Sequence, residues 1–328
     1  MKCTNNIRRR LLSIVLLVIL VLMTGCGNAT YALPYDAYSA NSSYTLKSTG
    51  NARKAETFAK DLCVVSQNYN ESAVDMSEAD AAALFSIDDQ QTLYAKNVHE
   101  VLYPASLTKV MTALVALKNG SRDDVLTASS NVIITESGAQ LCGLKPGDTM
   151  TLDQALRILL LYSANDVAIM IAEKYGSTVE NFCVMMTEEA HALGATNCNF
   201  VNPNGLTDEE QYVTAYDMYL IFKEACKYDL FKEIISMPGY STVFYDKNGE
   251  QVSFDKPNTN RFVNGDVQAP EGITVIGGKT GTTAAAGHCL ILLSSDTSGK
   301  SYVSIILKSS EGTILYTEMC DLLEIINK

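Results

Sequence analysis

The order of strand-forming and helix-forming stretches limits the fold of this 328-residue chain most strongly. Two short apolar runs at 81–87 and 92–96 flank a polar turn and predict a β-hairpin. A mostly helical middle follows, and from Ser241 the apolar residues alternate again until a final amphipathic helix at 313–326. This order predicts an α+β fold, in which an antiparallel sheet is flanked by helices and an all-helical lobe is inserted at about 121–235.

Capping patterns mark where the helices of the middle stretch begin. Thr151 with Gln154, and Thr214 with Asp217, have the spacing at which a hydroxyl and an acid or amide cap a helix reciprocally. The predicted helices cover 155–161, 167–175, 179–193 and 215–228.

The N-terminal residues predict export rather than part of the fold. Basic residues precede an apolar run at 11–23, which is shorter than the ~20 apolar residues that span a membrane. This predicts a signal peptide over 1–25. Leu22 to Cys26 resembles a bacterial lipobox, which implies lipidation of Cys26 and attachment to the outer face of the cytoplasmic membrane. The alternative is an ordinary signal peptide cleaved nearby, for example after Ala32.

The remaining sequence predicts a tether and one domain. The polar stretch at 28–51 has no apolar period, so we expect residues 26–79 to be the lipid-anchor site and tether, and 80–328 to be the folded domain. Without residues 1–25 the chain has 21 Lys and Arg against 37 Asp and Glu, a net charge of −16. An acidic chain argues against nucleic acid as a partner.

Cysteine and histidine spacing predicts neither a metal site nor a defined disulfide framework. Seven cysteines follow Cys26, without a C-x-x-C pair or a histidine at zinc spacing. Because seven is odd, at least one of these thiols is expected to be free.

Ser106 and Lys109 form the first candidate chemical pair. Pro104 interrupts the structure before them, the apolar run 110–117 continues behind them, and Gly120 ends it, so Ser106 is expected in the first turn of a buried helix. Residues three apart share a helix face, and a buried lysine can lose its proton and serve as a base for serine. The alternative is a capping serine beside a solvated lysine.

Two further motifs follow. Ser163-Ala164-Asn165 lies on a predicted turn between helices, where Asn165 and Asp166 could also cap the second helix. In the stretch 277–283, glycines surround Lys279 inside a predicted strand, which suits close approach of an anion or an extended peptide to the backbone. It does not precede a helix, as a phosphate-binding loop would.

Together, Ser-x-x-Lys, Ser-x-Asn and Lys-Thr-Gly are far more specific than any one of them. With these motifs, residues ~80–328 resemble the serine D-alanyl-D-alanine carboxypeptidases, the low-molecular-mass penicillin-binding proteins. The stretches 202–206, 214–218 and 258–261 are similar as well. Many members have a histidine shortly before the second of these, where Gln211 stands nearby in this chain.

The resemblance implies roles for the first two motifs. Ser106 would attack the carbonyl of the D-Ala-D-Ala bond, and Lys109 would take its proton. Ser163 would relay a proton to the leaving D-alanine, and Asn165 would orient the acyl part.

The third motif would bind the substrate's end. Lys279, Thr280, Gly281 and Thr282 would hold the terminal carboxylate, and the N–H groups of Ser106 and Thr282 would form the oxyanion hole. The implied substrate is a peptidoglycan stem peptide, with β-lactams as covalent inhibitors and with neither a metal nor an organic cofactor.

Two other functions remain as alternatives. A serine β-lactamase of the related class has a Glu-x-x-Leu-Asn segment between the second and third motifs, and the region around 199–206 lacks it. A non-catalytic lipoprotein that binds wall peptide would suit the anchor, but such a protein is expected to have lost at least one of Ser106, Lys109 or Lys279, and all three are present.

Overall fold

A five-stranded antiparallel sheet, with the order β2-β1-β9-β8-β7, forms the centre of the computed structural model, which describes residues 61–328. The strands in this range are β1 (Ala79–Ser86), β2 (Gln91–Lys96), β3 (Val125–Thr127), β4 (Thr149–Thr151), β5 (Gly239–Tyr245), β6 (Gln251–Pro257), β7 (Thr274–Thr283), β8 (Gly287–Ser295) and β9 (Ser301–Ser309). The α-helices are α1 (Thr108–Asn119), α2 (Leu152–Arg157), α3 (Asn165–Gly176), α4 (Val179–Ala192), α5 (Ala215–Ala225), α6 (Asp229–Ile235) and α7 (Gly312–Glu324).

The central sheet is covered on both faces. Strand β1 sends Ala81, Ala83 and Phe85 into one apolar core and Ala82 and Leu84 into another, as the alternation of side chains along a strand requires. Helix α7 packs on the second core, and α1 and α5 contribute to the first. Pairing of β1 with β9 joins the two ends of the domain, and the predicted β1–β2 and β8–β9 hairpins are confirmed.

Helix α1 is buried along most of its length, from Thr108 to Ala116. It ends before Gly120, which has an extended backbone rather than the left-handed one common after helices. A Cβ atom on Gly120 would lie 2.2 Å from the Tyr175 hydroxyl, so a larger residue there would have to displace the Tyr175 side chain.

The inserted lobe is not entirely helical, which corrects the prediction. Strands β3 and β4 lie within 121–235 and pair with β5 and β6 in a second sheet of order β3-β4-β5-β6. Three-residue strands are too short to show an alternating pattern, so β3 and β4 have no recognisable signal in the sequence.

Several helix boundaries also differ from the predicted ones. Helix α2 continues as a π-helical segment, Ile158–Tyr162, and α3 begins two residues earlier than predicted. The predicted helix at 215–228 ends at Ala225, and α6 follows separately. Both capping boxes, Thr151 with Gln154 and Thr214 with Asp217, are confirmed.

The folded region begins before residue 80. Cys63 and Met76 are buried, and Tyr69 forms a bridge with Ala95 of β2, so residues 61–78 of the predicted tether pack against the domain. They contain almost no regular structure, which is why their pattern did not reveal them. The predicted signal peptide (1–25), Cys26 and the tether up to residue 60 lie outside the described residues.

Two further observations concern residues 61–328. All seven cysteines from Cys63 to Cys320 are free thiols. No helix in this range is long and apolar enough to cross a membrane.

Candidate active site

The three sequence motifs meet at one cavity of about 1010 Å³. Ser106 from the segment before α1, Ser163 and Asn165 from the start of α3, and the stretch 280–283 of β7 all line it. Lys109 and Lys279 lie behind this lining and hydrogen-bond to it. The structure therefore brings together every predicted site residue within the described range.

Ser106 lies in a 3₁₀ turn, Ala105–Leu107, and not in the first α-helical turn as predicted. The turn leads directly into α1 at Thr108. Ala105 has a positive φ of 46°, a conformation that non-glycine residues rarely adopt. The Thr108 hydroxyl donates a 2.8 Å hydrogen bond to the Ala105 carbonyl and so holds this turn.

Lys109 is completely buried, with 0% of its surface exposed. Its Nζ lies 2.8 Å from Ser106 Oγ and 2.7 Å from Asn165 Oδ1, and it also contacts the Asn204 carbonyl oxygen. The alternative of a solvated lysine beside a capping serine is therefore wrong.

The surroundings of Lys109 favour its neutral form. Burial, and then the positive charge of Lys279, hold the pKa of Lys109 well below its usual value, while Asp166 opposes this more weakly. Among the described residues, no carboxylate lies within salt-bridge distance of Lys109.

The three contacts of Lys109 suit a base. A neutral amine has two N–H donors and one lone pair. The Asn165 and Asn204 oxygens have no proton to donate here and accept the two N–H groups. The lone pair then faces Ser106 Oγ, the one partner that can donate a proton. This arrangement can remove the hydroxyl proton from Ser106.

Ser163 has a left-handed backbone, with φ of 68°, directly after the π-helical segment Ile158–Tyr162. Its Oγ accepts a 2.9 Å hydrogen bond from Lys279 Nζ, which also donates to the Thr280 carbonyl at 2.8 Å. Burial lowers the pKa of Lys279 to about 7. A hydroxyl in contact with such an amine can pass a proton in either direction.

Asn165 does not cap α3, which corrects one alternative. The N-cap residue is Ala164, and no side chain caps it. The Asn165 side chain instead accepts from Lys109.

Hydrogen bonds from the start of α3 hold one rim of the cavity. The Asp166 carboxylate accepts the N–H groups of residues 142–144, and the Asn165 N–H donates to Gln140 O at 2.8 Å. These bonds fix the cavity rim at 136–144.

Among the described strands, β7 lies at one edge of the central sheet, and such an edge can pair with an extended peptide. A Cβ on Gly281 would lie 2.9 Å from the Ser106 nitrogen, so only glycine lets this strand approach the nucleophile turn.

Strand β7 also carries hydroxyl groups into the cavity. The Thr280 hydroxyl lies 2.7 Å from that of Thr259, and Thr282 Oγ1 lies 3.2 Å from His288 Nδ1. Hydroxyl groups thus follow the edge of β7 along the cavity.

Several residues around the site lie outside the three motifs, and their roles could not be predicted from the sequence. Asn204 contributes a backbone carbonyl, which no side-chain pattern can reveal. Thr259 and Arg261 come from the stretch 258–261, which the family resemblance marked without a role. The Arg261 guanidinium lies 5.0 Å from the centre of the Tyr316 ring and adds a permanent positive charge to the cavity wall.

Fold and site together define a class of protein, one with an α+β fold and a serine hydroxyl beside a buried lysine that is placed to act as its base. Residues 67–311 match the model of the D-alanyl-D-alanine carboxypeptidase family, which is most of the chain. The chain belongs to this family.

Relatives and solved structures agree with this membership. The chain is 35% identical over 217 residues to the D-alanyl-D-alanine carboxypeptidase DacF of Bacillus subtilis, covering 65% of this chain and 53% of that protein. It is 30% identical over 260 residues to DacC of Escherichia coli, covering 76% and 61%. The chain thus spans between 53% and 61% of the length of these two relatives.

Among solved structures, the Streptomyces K15 DD-transpeptidase superposes with a TM-score of 0.69 at 27% identity. That match covers 80% of this chain and 98% of the other. A D-alanyl-D-alanine carboxypeptidase from Mycobacterium tuberculosis also superposes with a TM-score of 0.69, at 25% identity. These likenesses confirm the predicted α+β, transpeptidase-like fold.

Proposed function

We propose that this protein is a serine-type D-alanyl-D-alanine carboxypeptidase that removes the terminal D-alanine from peptidoglycan stem peptides through an acyl-enzyme on Ser106. The observation that carries the proposal is the contact between Lys109 Nζ and Ser106 Oγ, at 2.8 Å, with Lys109 fully buried and no carboxylate paired to it in the described structure.

In the first step, Ser106 Oγ attacks the carbonyl carbon of the D-Ala-D-Ala bond, and the hydroxyl proton passes to Lys109 Nζ. Two oxygens already hold the amine with its lone pair toward Ser106, so little reorganisation is needed. The N–H groups of Ser106 and Thr282 would stabilise the oxyanion, because the Gly281 backbone lies against the nucleophile turn.

In the second step, the C–N bond breaks and the leaving nitrogen of D-alanine receives a proton from Ser163. Ser163 recovers it through Lys279, which hydrogen-bonds to its hydroxyl at 2.9 Å. Water then attacks the ester carbon and gives one proton through Ser163 to Lys279, which restores the proton that Lys279 gave up. The Ser106–acyl bond breaks as Ser106 takes its proton back from Lys109. The shortened peptide leaves as a carboxylate, and the proton it releases balances the one that the free amine of D-alanine takes up from solvent.

The substrate's terminal carboxylate would lie against β7. Lys279 has no carboxylate partner in the described structure, and its pKa of about 7 would rise when an anion approaches. The hydroxyls of Thr280 and Thr282, the backbone of Gly281 and the charge of Arg261 complete a polar, positively charged wall. Such a wall suits a peptide that ends in a free carboxylate.

The substrate also sets the compartment. Stem peptides lie outside the cytoplasm, which agrees with the predicted signal peptide at 1–25 and with anchoring through a lipid on Cys26. We include this anchor in the proposal as the means that keeps the enzyme near the wall.

A penicillin tests the proposal directly. The purified protein is incubated with benzylpenicillin and digested, and the peptides are analysed by mass spectrometry. One adduct on the peptide that contains Ser106 is expected, and none on Ser106→Ala. An unmodified wild-type protein, or an adduct on another residue, would contradict the proposal.

A chromogenic cephalosporin separates this function from that of a β-lactamase. Both enzymes would be acylated, but the ring-opened β-lactam stays attached and blocks water. This chain lacks the Glu-x-x-Leu-Asn segment that would activate water for deacylation. One turnover per enzyme is expected, followed by inhibition. Sustained hydrolysis, on the order of 10 per second or more, would instead indicate a β-lactamase.

A further inference from the structure

Gln211 is a buried glutamine outside the three motifs, with 1% of its surface exposed. Its side chain connects the two parts of the site that hold Lys109 and Ser106. The inference drawn from it rests on the proposed acyl-enzyme chemistry.

One side of Gln211 reaches the nucleophile turn. Its Nε2 donates to Thr108 Oγ1 at 3.1 Å, and Thr108 Oγ1 in turn donates to the Ala105 carbonyl at 2.8 Å. Ala105 has the unusual positive φ and directly precedes Ser106. A hydroxyl that accepts one hydrogen bond while donating another is held in a single orientation.

The other side of Gln211 reaches the loop 201–206, which presents the Asn204 carbonyl to Lys109. Its Oε1 accepts the N–H groups of Val201 and Asn202 at 2.8 and 3.0 Å, and its Nε2 donates to Asn202 Oδ1 at 3.0 Å. Asn202 Oδ1 also accepts the Gly205 N–H at 2.7 Å. Gln211 and Asn202 therefore hold both ends of the loop.

The two sides converge on the same contact. Gly205 approaches the Ala105 carbonyl so closely that a Cβ would lie 1.9 Å from that oxygen. The Asn204 oxygen and the Ser106 hydroxyl both contact Lys109 Nζ. Any relative shift of loop and turn would rotate the amine between its acceptor and the serine.

We propose that Gln211 is a positioning residue for proton transfer: it fixes the Asn204 carbonyl relative to the Ser106 turn, so that the Lys109 lone pair faces the Ser106 hydroxyl. It touches neither the substrate nor the reacting atoms, and it acts through Asn202 and Thr108.

Loss of Gln211 should change the pH dependence of acylation as well as its rate. The charged groups that act on Lys109 are Lys279 on β7, which lowers its pKa, and Asp166 on α3, which raises it. Neither changes when Gln211 is replaced. A loosened loop would admit water beside Lys109 and reduce its desolvation, so the pKa of Lys109 would rise. Acylation would then require a higher pH.

Gln154 provides a matched control. It makes four side-chain hydrogen bonds, against five for Gln211: it accepts from Thr151 N and Oγ1, and donates to Thr242 Oγ1 and the Val243 carbonyl. It does not line the cavity. Gln154→Ala therefore removes a similar network without touching the site.

The experiment measures the acylation rate by a fluorescent penicillin from pH 5 to pH 10 for the wild type, Gln211→Ala and Gln154→Ala, with melting temperatures recorded. For Gln211→Ala we expect a fall of roughly 10-fold near pH 7, part of the ~10²–10⁴-fold that positioned proton transfer contributes. The acidic limb of its profile should also move to higher pH. Gln154→Ala should keep the wild-type profile even if its melting temperature falls.

The outcomes distinguish failure of the positioning role from failure of the proposed function. If Gln211→Ala follows Gln154→Ala at every pH, the positioning role is wrong while the proposed function stands. If the wild type itself is not acylated, the proposed function fails. Should Gln211→Ala not fold, Gln211→Glu keeps the two acceptor contacts and loses the N–H donors when ionised. It should also acylate more slowly, and a wild-type rate and profile would overturn the inference.

Discussion

At the scale of single residues, Lys109 and Lys279 are two buried amines with different neighbours. Lys109 faces Ser106, Asn165 and the Asn204 carbonyl, whereas Lys279 faces Ser163 and the Thr280 carbonyl. The same residue type is thus placed once at the nucleophile and once between the proton relay and the strand that would hold the substrate.

Replacing each lysine by alanine should separate these positions. Lys109→Ala should lower kcat/KM by roughly 10²–10⁴-fold on every substrate, because it removes the base. Lys279→Ala should reduce turnover of an acyl-D-Ala-D-Ala peptide by at least about 10-fold more than that of a matched neutral ester, because it removes a charge near the terminal carboxylate. Equal losses on both substrates would contradict the assignment of Lys279.

The buried charge of Lys279 should also lower the free energy of unfolding, by an amount that depends on pH. Its pKa is about 7 in the folded protein and is ordinarily near 10.5. Below pH 7 both states bind the proton, so the folded state bears the whole cost of the buried charge. Between pH 7 and 10.5 only the unfolded state binds it, so folding becomes more favourable as pH rises.

Lys279→Met should therefore raise the free energy of unfolding most near pH 6.5, and by less near pH 9.5. The gain in free energy of unfolding is at most roughly 1.4 kcal/mol for each unit by which the pKa of Lys279 is lowered on folding. Loss of the hydrogen bonds to Ser163 and Thr280 reduces this gain by about 1 kcal/mol. Urea denaturation at both pH values measures this gain. The control is Lys232→Met, since the Lys232 side chain is partly exposed and its charge is paired with Asp229. A gain that is the same at both pH values would show that Lys279 bears no such charge penalty.

At the scale of elements, β7 combines a structural and a functional task. A Cβ on Gly278 would lie 2.1 Å from the Ile291 carbonyl of β8, and one on Gly281 would meet the nitrogen of Ser106. The first glycine serves the pairing within the sheet, and the second serves the approach of the sheet to the nucleophile turn.

Of two alanine substitutions on β7, one should mainly reduce stability and the other should mainly slow acylation. Gly278→Ala should lower the free energy of unfolding by about 1–3 kcal/mol, since the crowded atom is sheet backbone. Gly281→Ala should keep a higher free energy of unfolding than Gly278→Ala. It should be acylated by penicillin more slowly than Gly278→Ala, because the added methyl group displaces Ser106. Thermal melts and acylation rates compare the pair, and a reversed order would contradict this division.

The elements also show what could be predicted from the sequence. The two hairpins, both capping boxes and the three motifs are local patterns of a few residues, and the structure contains each of them. Strands β3 and β4 depend on pairing with each other and with β5, not on their own three residues. The Asn204 carbonyl and the π-helical segment before Ser163 depend on backbone geometry, which residue identity does not encode locally.

At the scale of the whole molecule, the proposed function would require the folded domain to act on peptidoglycan outside the cytoplasm. The match to the family covers 67–311, and the predicted lipid site at Cys26 precedes it, outside the described residues. The lipoprotein modification adds at least two acyl chains, which suffice for stable membrane attachment.

Cys26→Ser should release the protein from membranes into the soluble fraction, while acylation of Ser106 by penicillin continues unchanged. Fractionation of cells followed by intact mass measurement of the wild type checks both parts. A mutant that stays in the membrane, together with a wild type that has no lipid mass, would contradict the anchor.

The central claim is that Ser106 forms the acyl-enzyme through which D-alanine is released. Its most direct test is the rate of D-alanine release from an acyl-D-Ala-D-Ala peptide by the wild type and by Ser106→Ala. Circular dichroism would establish that both are folded. The account predicts turnover by the wild type that penicillin abolishes, and no detectable release by Ser106→Ala. Release by the mutant at a rate near that of the wild type would contradict it.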